Sequence, residues 1–223
     1  MSTGETIGVD LGGTKMLVGV LSGTEPVYES RGASTGQSED ELVEMLVREV
    51  EAAREARPGV EAVGLGVPAT IDHERGVAIA AVNLPLTEVP LRDLVSQRTG
   101  LPVYVDNDAT VAAYAEYLFG AGRGKPHMVM LTVGTGIGGG LILGGELYRG
   151  STGAGAELGH TVIQEDGPPC QGSCPNRGCV EVLASGTALG KEGRAAAERA
   201  PDSALGKLLA AGDEVDGRAV TAA

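Results

Sequence analysis

The chain has 223 residues, enough to bury a core as one large domain or two smaller lobes without disulfides. Its 17 basic and 30 acidic residues give a net charge of −13, which repels phosphate backbones and anionic lipids, so we expect neither nucleic acid nor a membrane as partner. Three cysteines, an odd count, together with no apolar N-terminal segment and no long uncharged apolar run, predict a reducing, cytoplasmic setting.

The first predicted element is a β-hairpin in "TIGVDLGGTKMLVGVL". Apolar residues recur on both sides of Gly12 and Gly13, a pattern typical of two strands joined by a tight turn. The bare amides of this turn and the hydroxyl of Thr14 can converge on an anion. Asp10 could hold a hydrated Mg²⁺, and Lys15 could meet a phosphate or be only a solvated turn lysine.

A helix is predicted next, because Ser38 and Glu41 form a capping box ahead of an amphipathic run that stops at Pro58. The stretch "AVGLGVPAT" predicts a strand that ends in a loop. The stretch "LPVYVDNDATVAAYAEYLFG" predicts a strand running into a helix closed by Gly120. Strands alternating with helices indicate an α/β fold with functional loops beyond the carboxyl ends of the strands.

Asp106, Asn107 and Asp108 lie where that last strand meets its helix. The simpler interpretation of Asp108 is an ordinary helix N-cap. A carboxylate at a helix N-terminus also stays ionised, because the helix dipole favours its charge, so it could accept a hydroxyl proton. Asn107 could exchange hydrogen bonds with a polyol. Phosphoryl transfer requires little else from a protein: a base beside the attacking hydroxyl, correct positioning of the reactants and neutralisation of the phosphate charge.

The stretch "HMVMLTVGTGIGGGLILGGELY" predicts a second hairpin, with a strand at 128–133 and an apolar run at 140–143. Gly134, Gly136 and Gly139 satisfy GxGxxG, but a dinucleotide fold is excluded because the following glycines do not start a helix.

Two glycine turns, the second with Thr135 at its tip, favour a clamp for nucleotide phosphates over two unrelated hairpins. The glycine-rich stretch "GAGRGKP" is the predicted junction between lobes, so we divide the chain into 1–120 and 121–223.

Every cysteine lies in "ELGHTVIQEDGPPCQGSCPNRGCVE". His160, Cys170, Cys174 and Cys179 offer one nitrogen and three sulfurs, the ligand set of a tetrahedral structural zinc site. A redox role is a weaker alternative, because no pair has the CxxC spacing. Four protein ligands leave no open position, so the ion would organise the loop rather than perform chemistry.

The same loop would present carboxylates to a ligand. Glu157 and Glu181 could accept hydrogen bonds from hydroxyl groups once the bound ion has ordered the segment. His160 could bind zinc through one ring nitrogen and contact the substrate with the other. Taken singly, each glutamate is more simply a solvated surface charge.

Together these motifs resemble the ROK family of sugar kinases and repressors, and within it the bacterial glucokinases. "DLGGTK" and "VGTGIGGG" resemble its two phosphate motifs, "DND" its catalytic aspartate, "ELGH" and "GCVE" its sugar-binding segments, and "GVPA" and "AVNLP" its sugar-closing loops. The resemblance implies Asp108 as base; Gly66, Asn83, Asn107, Asp108, Glu157, His160 and Glu181 for the sugar; and Asp10, Gly12, Gly13, Thr14, Lys15, Gly134, Thr135 and Gly136 for the nucleotide.

The resemblance also implies an actin-like, hexokinase-type fold of two RNase H-like lobes with the active site in the cleft. Its reaction would be transfer of the γ-phosphate of ATP to the 6-hydroxyl of glucose, with Mg²⁺ bridging the phosphates and Zn²⁺ in a structural role. Such proteins form homodimers or homotetramers.

Two departures from the family pattern stand out. The first two cysteines are separated by "QGS", two residues more than usual, and the chain stops at "DGRAVTAA", before the segment that packs on adenosine. A second lobe truncated there could hold sugar but bind ATP weakly. The alternatives are a kinase for fructose, mannose or N-acetylmannosamine, a polyphosphate-using glucokinase, and, less expected because only six residues precede Ile7, a sugar-sensing repressor.

Overall fold

The structure, a computed structural model, describes residues 4–13, 15–34, 38–81, 83–172 and 174–223. Its strands are β1 Glu5–Leu11, β2 Lys15–Ser22, β3 Glu25–Ala33, β4 Val60–Val67, β5 Ala69–Asp72, β6 Val77–Ala81, β7 Thr87–Val89, β8 Val103–Asn107, β9 Met128–Val133, β10 Ile137–Leu143 and β11 Glu146–Tyr148. Its helices are α1 Glu39–Ala56, α2 Leu91–Thr99, α3 Asp108–Phe119, α4 Val180–Ala184, α5 Gly186–Arg199, α6 Ala204–Ala210 and α7 Gly217–Ala222. Strands and helices alternate, so the α/β class is confirmed.

A five-stranded sheet in the order β3-β2-β1-β4-β8 forms the largest layer. The predicted first hairpin is β1 and β2, which pair antiparallel from Glu5↔Ser22 to Leu11↔Met16. Strands β4 and β8 run parallel to β1, so three strands end at the same edge. Strand β3 was not predicted, because its sequence "EPVYESRGA" buries no residue fully and lacks the apolar alternation of a core strand.

Helix α1 covers this sheet and begins as predicted. The Ser38 side chain accepts a hydrogen bond from the Glu41 backbone N–H at 3.3 Å. Leu42, Leu46 and Val50 repeat at helical spacing and are fully buried in the core. Each such side chain contributes about 1.5–3 kcal/mol through removal of its apolar surface from water.

The predicted strand "AVGLGVPAT" is two strands, β4 and β5. Pro68 separates them because it has no N–H to donate to the ladder. Strand β5 then belongs to a second sheet in the order β5-β6-β7.

The predicted second hairpin is confirmed as β9 and β10, in a sheet of order β11-β10-β9. Strand β10 begins at Ile137, three residues earlier than the predicted run, so the glycines at 138–140 lie in a strand. The absence of a helix at this motif, which excluded a dinucleotide fold, is therefore confirmed.

The chain forms two compact units. The first unit contains residues 1–128 and 140–156, and the second contains residues 129–139 and 157–223. This division differs from the predicted one at 120–121, because the chain returns to the first unit within β10: Gly140 lies against Ala113 of α3, and Leu141 pairs with Tyr148 of β11. Across the described part of the chain, no helix is both long and apolar enough to cross a membrane.

At Gly140 the packing of β10 against α3 leaves no room for a side chain. A Cβ at this buried position would collide with the Cβ of Ala113, itself fully buried on α3. We expect Gly140→Ala to lower the free energy of unfolding by about 1–3 kcal/mol, because neither strand nor helix has room to move apart cheaply. Urea denaturation measures the change.

The matched control is Gly8→Ala on β1, where an added Cβ meets no atom within 4 Å. This substitution should change stability by less than about 0.5 kcal/mol. Equal stability of the two variants would contradict the tight packing of α3 on Gly140.

Candidate functional site

The first unit places a row of functional residues at one edge of its sheet. Asp10 of β1 pairs with Gly66 of β4, and Gly66 pairs in turn with Asp106 of β8. A Cβ on Gly66 would lie 3.5 Å from the Cα of Asp108, so β4 is in van der Waals contact with the start of α3. The carboxyl ends of parallel strands therefore bring the predicted metal ligand Asp10 and the predicted base Asp108 to the same edge.

The residues of "DND" have three different roles. Asn107 is the N-cap of α3, since its Oδ1 accepts from the Thr110 N–H at 3.0 Å and its Nδ2 donates to the Ala69 carbonyl at 3.4 Å. The simpler interpretation of Asp108 as the N-cap is therefore wrong. Asp108 is the first helical residue, half-buried, with Oδ1 accepting from the Ala109 N–H at 2.8 Å. Its charge still benefits from the helix dipole.

Asp106 is held by Arg149, and His73 lies nearby; the sequence did not point to either residue. Its Oδ2 accepts from Arg149 Nε at 2.8 Å and Nη2 at 2.7 Å, and His73 Nδ1 lies 3.9 Å away. Its Oδ1 accepts from the Asn107 N–H at 2.9 Å. Asp106 thus stabilises the end of β8, whereas Asp108 has no ion pair of this kind among the described residues.

The first phosphate turn is closed by its own backbone and by a buried serine. The Gly12 N–H donates to the Lys15 carbonyl at 2.8 Å, and Ser34 Oγ donates to the Gly12 carbonyl at 2.5 Å. Asn83, predicted to bind sugar, has its Cβ only 3.2 Å from where a Gly13 side chain would begin. Lys15 is exposed. Thr14, the predicted tip residue, lies outside the described residues.

Asp10 is affected electrostatically by Asp108. Although Asp10 keeps an exposed surface, partial burial of its carboxylate raises its pKa, and the negative charge of Asp108 raises it further. A divalent cation would relieve the raised charge cost at Asp10, and oxygen ligands of this kind suit Mg²⁺.

The second unit contains the other glycine turn. The Gly134 N–H donates to the Gly136 carbonyl at 2.9 Å, which closes the turn between β9 and β10, and Thr135 is exposed at its tip. Glu181, predicted to bind sugar, accepts from the Ile137 N–H at 2.7 Å through its Oε2. One oxygen of this glutamate therefore holds the backbone that follows the turn.

The second unit also brings the four predicted metal ligands together. The ligand atoms of His160, Cys170, Cys174 and Cys179 all lie within 4.8 Å of one another, and Cys170 Sγ is 3.4 Å from His160 Nδ1. A tetrahedral zinc ion bound by sulfur needs ligand separations of about 3.8 Å, so the donor set fits the ion in number, type and spacing.

The histidine ring is shared between the cluster and a carboxylate. His160 Nδ1 faces the sulfurs, and Nε2 lies 4.0 Å from Glu157 Oε2. A carboxylate near the second ring nitrogen is the usual arrangement around a metal-binding histidine, because it orients the ring and raises its basicity.

The three thiols of this cluster lie close together. Burial raises the pKa of Cys170 to about 12, and the hydrogen bonds that its S–H makes to Cys179 and Cys174 contribute to the rise. The loop is closed locally, since the Cys170 N–H donates to the Asn176 carbonyl at 2.9 Å and Val162 bridges to the fully buried Cys179. A metal ion would have to displace protons to bind here.

Each unit thus assembles its own part of the predicted site. The first unit carries Asp10, Gly12, Gly13, Lys15, Gly66, Asn83, Asn107 and Asp108, and the second carries Gly134, Thr135, Gly136, Glu157, His160, Cys170, Cys174, Cys179 and Glu181. Sequence reasoning missed Ser34, His73 and Arg149. Nothing in a single sequence marks them, because their partners lie far away along the chain.

Comparison with known proteins shows the family to which this chain belongs. A sequence model described as the ROK family matches residues 6–222. Glucokinase of Streptomyces coelicolor is 39% identical over 94% of this chain and 65% of its own length. A ROK family glucokinase from Streptomyces griseus, solved in complex with glucose and AMPPNP, superposes with a TM-score of 0.85 at 39% identity, covering 97% of this chain and 69% of that one. A putative xylose repressor from Caldicellulosiruptor is 37% identical over 84% of this chain and 48% of its own.

The chain belongs to the ROK family, and its α/β fold is that of ROK hexokinase-type structures. It spans 65% of the length of the Streptomyces coelicolor relative.

The ion pair between Arg149 and Asp106 gives a stability prediction. We expect Arg149→Met to lower the free energy of unfolding by about 1.5–3 kcal/mol, because it leaves the Asp106 carboxylate, whose side chain is 14% exposed, without its strongest donors. Urea denaturation measures the loss.

The control is Arg98→Met, which removes the partner of Glu44 in a pair exposed at 37% and 65%. A solvated pair should contribute at most about 1 kcal/mol. If Arg149→Met costs no more than this control, Asp106 does not depend on Arg149.

Proposed function

We propose that this protein is a glucokinase that transfers the γ-phosphate of ATP to the 6-hydroxyl of glucose. The observation that carries the proposal is the pair of carboxylates at the edge of the first sheet: Asp108 half-buried at the start of α3, and Asp10 with a pKa raised partly by it. A base beside a cation-binding carboxylate is what phosphoryl transfer from a nucleotide needs. The glucokinases named above support the choice of sugar and donor.

In this proposal Asp108 accepts the proton of the glucose 6-hydroxyl. The oxygen of that hydroxyl bonds to the γ-phosphorus, and the bond between this phosphorus and the bridging oxygen breaks, which releases ADP. Asp10 would hold magnesium, which when bound neutralises charge on the phosphates. The first unit would contribute Gly12, Gly13 and Lys15 to the phosphates. Gly66, Asn83 and Asn107 would line the sugar.

The second unit would contribute the amides of Gly134, Thr135 and Gly136 to the phosphates, and Glu157, His160 and Glu181 to sugar hydroxyls. Asn107 and Glu181 each use part of their hydrogen-bonding capacity within the protein. Each retains capacity for a ligand, because a side-chain amide has two N–H groups and a carboxylate has about four acceptor sites.

The alternatives concern the sugar, the donor and the activity itself. Fructose, mannose and N-acetylmannosamine are the alternative sugars and polyphosphate is the alternative donor, because selectivity among such compounds depends on a few hydrogen bonds. A sugar sensor without catalysis is a second candidate, since a putative xylose repressor is similar to this chain. The carboxylate pair favours the kinase. Sugar binding alone does not require Asp108 to lie where its charge raises the pKa of Asp10.

We propose in addition that His160, Cys170, Cys174 and Cys179 hold a structural zinc ion that orders the loop carrying Glu157. Three free thiols persist in a reducing compartment, so we place the protein in the cytoplasm. Assembly as a homodimer or homotetramer, implied by the family, stays a prediction.

Asp108→Asn tests the assignment of the base. We expect turnover with ATP and glucose to fall by about 100-fold or more, because the amide cannot accept the proton, while glucose binding measured by calorimetry persists. The control Asp93→Asn changes an exposed carboxylate on α2 and should leave turnover unchanged.

The same coupled assay compares glucose, fructose, mannose and N-acetylmannosamine, each with ATP and with polyphosphate. Near-normal turnover by the Asp108 variant would reject the base, and faster turnover on another sugar would overturn the choice of glucose. Sugar binding without turnover on any pair would favour the sensor.

Metal analysis tests the zinc proposal, and we expect about one zinc ion per chain. Affinity for zinc should fall as the pH is lowered, because the ion binds thiolates and protons compete for them. This competition is strongest at Cys170, since burial raises its pKa to about 12. Competition with a chromogenic chelator measures the affinity. His160→Gln should lose zinc and His73→Gln should keep it; zinc retained at normal affinity in both would contradict the ligand set.

A further inference from the structure

The N-terminus of α5 lies on the second phosphate turn. Ser185 is the N-cap of this helix, and its Oγ accepts from the Ala188 N–H at 3.2 Å. The first two N–H groups of the helix take carbonyls of the turn instead: Gly186 donates to Gly134 at 2.8 Å, and Thr187 donates to Thr135 at 3.3 Å. Two of the four donors that a helix leaves unpaired at its start are therefore satisfied by the turn.

Thr187 makes a second bond to the same carbonyl. Its Oγ1 donates to the Thr135 oxygen at 2.8 Å, so this peptide group is held by two donors from one residue. The approach is close: a Cβ on Gly186 would lie 2.7 Å from the Gly134 oxygen, so the helix reaches the turn only with glycine at this position.

These bonds decide which way the amides of the turn point. In a trans peptide the C=O and the following N–H point in opposite directions. Holding the Gly134 oxygen directs the Thr135 N–H away from α5, and holding the Thr135 oxygen directs the Gly136 N–H away from it. The next N–H, that of Ile137, is taken by Glu181. Two adjacent N–H groups are thus presented on the side of the turn opposite to the helix.

The helix also strengthens these donors. The N-terminus of α5 carries partial positive charge, and a carbonyl that accepts hydrogen bonds polarises its peptide group, so the N–H on the other side becomes a better donor. Such a pair of N–H groups suits the oxygens of a phosphate.

We propose that Thr187 is a positioning residue for the phosphoryl donor, acting through the Thr135 carbonyl to aim the Gly136 N–H at a terminal phosphate of the nucleotide. This inference rests on the proposed kinase function. Thr187 does not itself touch the nucleotide in this account. Its loss should therefore affect the donor and leave the sugar unaffected.

Thr187→Val removes the hydroxyl and preserves the shape of the side chain. We expect KM for ATP to rise about threefold to tenfold, because the Thr135 carbonyl keeps only the longer of its two bonds, while KM for glucose stays within about twofold. Thr187→Ser should restore KM for ATP, because it returns the hydroxyl. Fluorescence titration of each variant with an ADP analogue should show the same order of affinities.

The matched control is Thr221→Val on α7 of the same unit, whose hydroxyl also bonds to backbone carbonyls, those of Gly217 and Arg218. Its KM for ATP should equal that of wild type. If Thr187→Val does not fold, judged by circular dichroism, Thr187→Ala serves as the hydroxyl-deletion variant.

The outcomes separate the two proposals. A wild-type protein without phosphoryl transfer to any sugar would reject the kinase function itself. Wild-type activity with an unchanged KM for ATP in the hydroxyl-deletion variant, or with KM for glucose raised equally, would overturn the role of Thr187 and leave the kinase standing.

Discussion

Parallel pairing of β1, β4 and β8 is the constraint on which the first unit depends. Because these strands run in one direction and in register, Asp10, Gly66 and Asp106 form a single row, and the chain leaves β8 directly into α3. Partial burial raises the pKa of Asp10, and the charge of Asp108 raises it further because the sheet brings both carboxylates to one edge. A slip of one residue would turn alternate side chains to the other face and remove the arrangement.

Local features of the fold could be read from the sequence, and long-range partners could not. The capping box of Ser38, the two glycine turns and the strand-to-helix junction at Asp108 each depend on residues a few positions apart. Arg149 stands 43 positions from Asp106, and a single sequence does not reveal which arginine a carboxylate will meet. The same holds for Glu181, which resemblance assigned to sugar and which also bonds to Ile137.

The two units differ in how they are stabilised. The connected core of buried apolar residues, from Ile7 to Val105, lies in the first unit. In the described part of the second unit, the buried apolar residues are few and mostly small: Ile137, Cys179, Ala188, Ala197 and Val215. A unit with so little core gains more than usual from bonds to a metal, since the free energy of binding adds to the free energy of folding. With the proposed zinc bound, the cysteine loop would add stability that this small apolar core does not supply.

The return of the chain to the first unit at Gly140 has a consequence for biosynthesis. During translation a domain can form only after all of its segments have left the ribosome. Strand β8 and the start of α3 emerge from the ribosome before Arg149, which is synthesised 43 residues after Asp106. Until then the Asp106 carboxylate is solvated and lacks this counter-ion. The sheet edge that carries Asp106 and Asp108 is thus completed late, and ribosome-bound intermediates that end inside β9 would contain its strands without the arginine that pairs with Asp106.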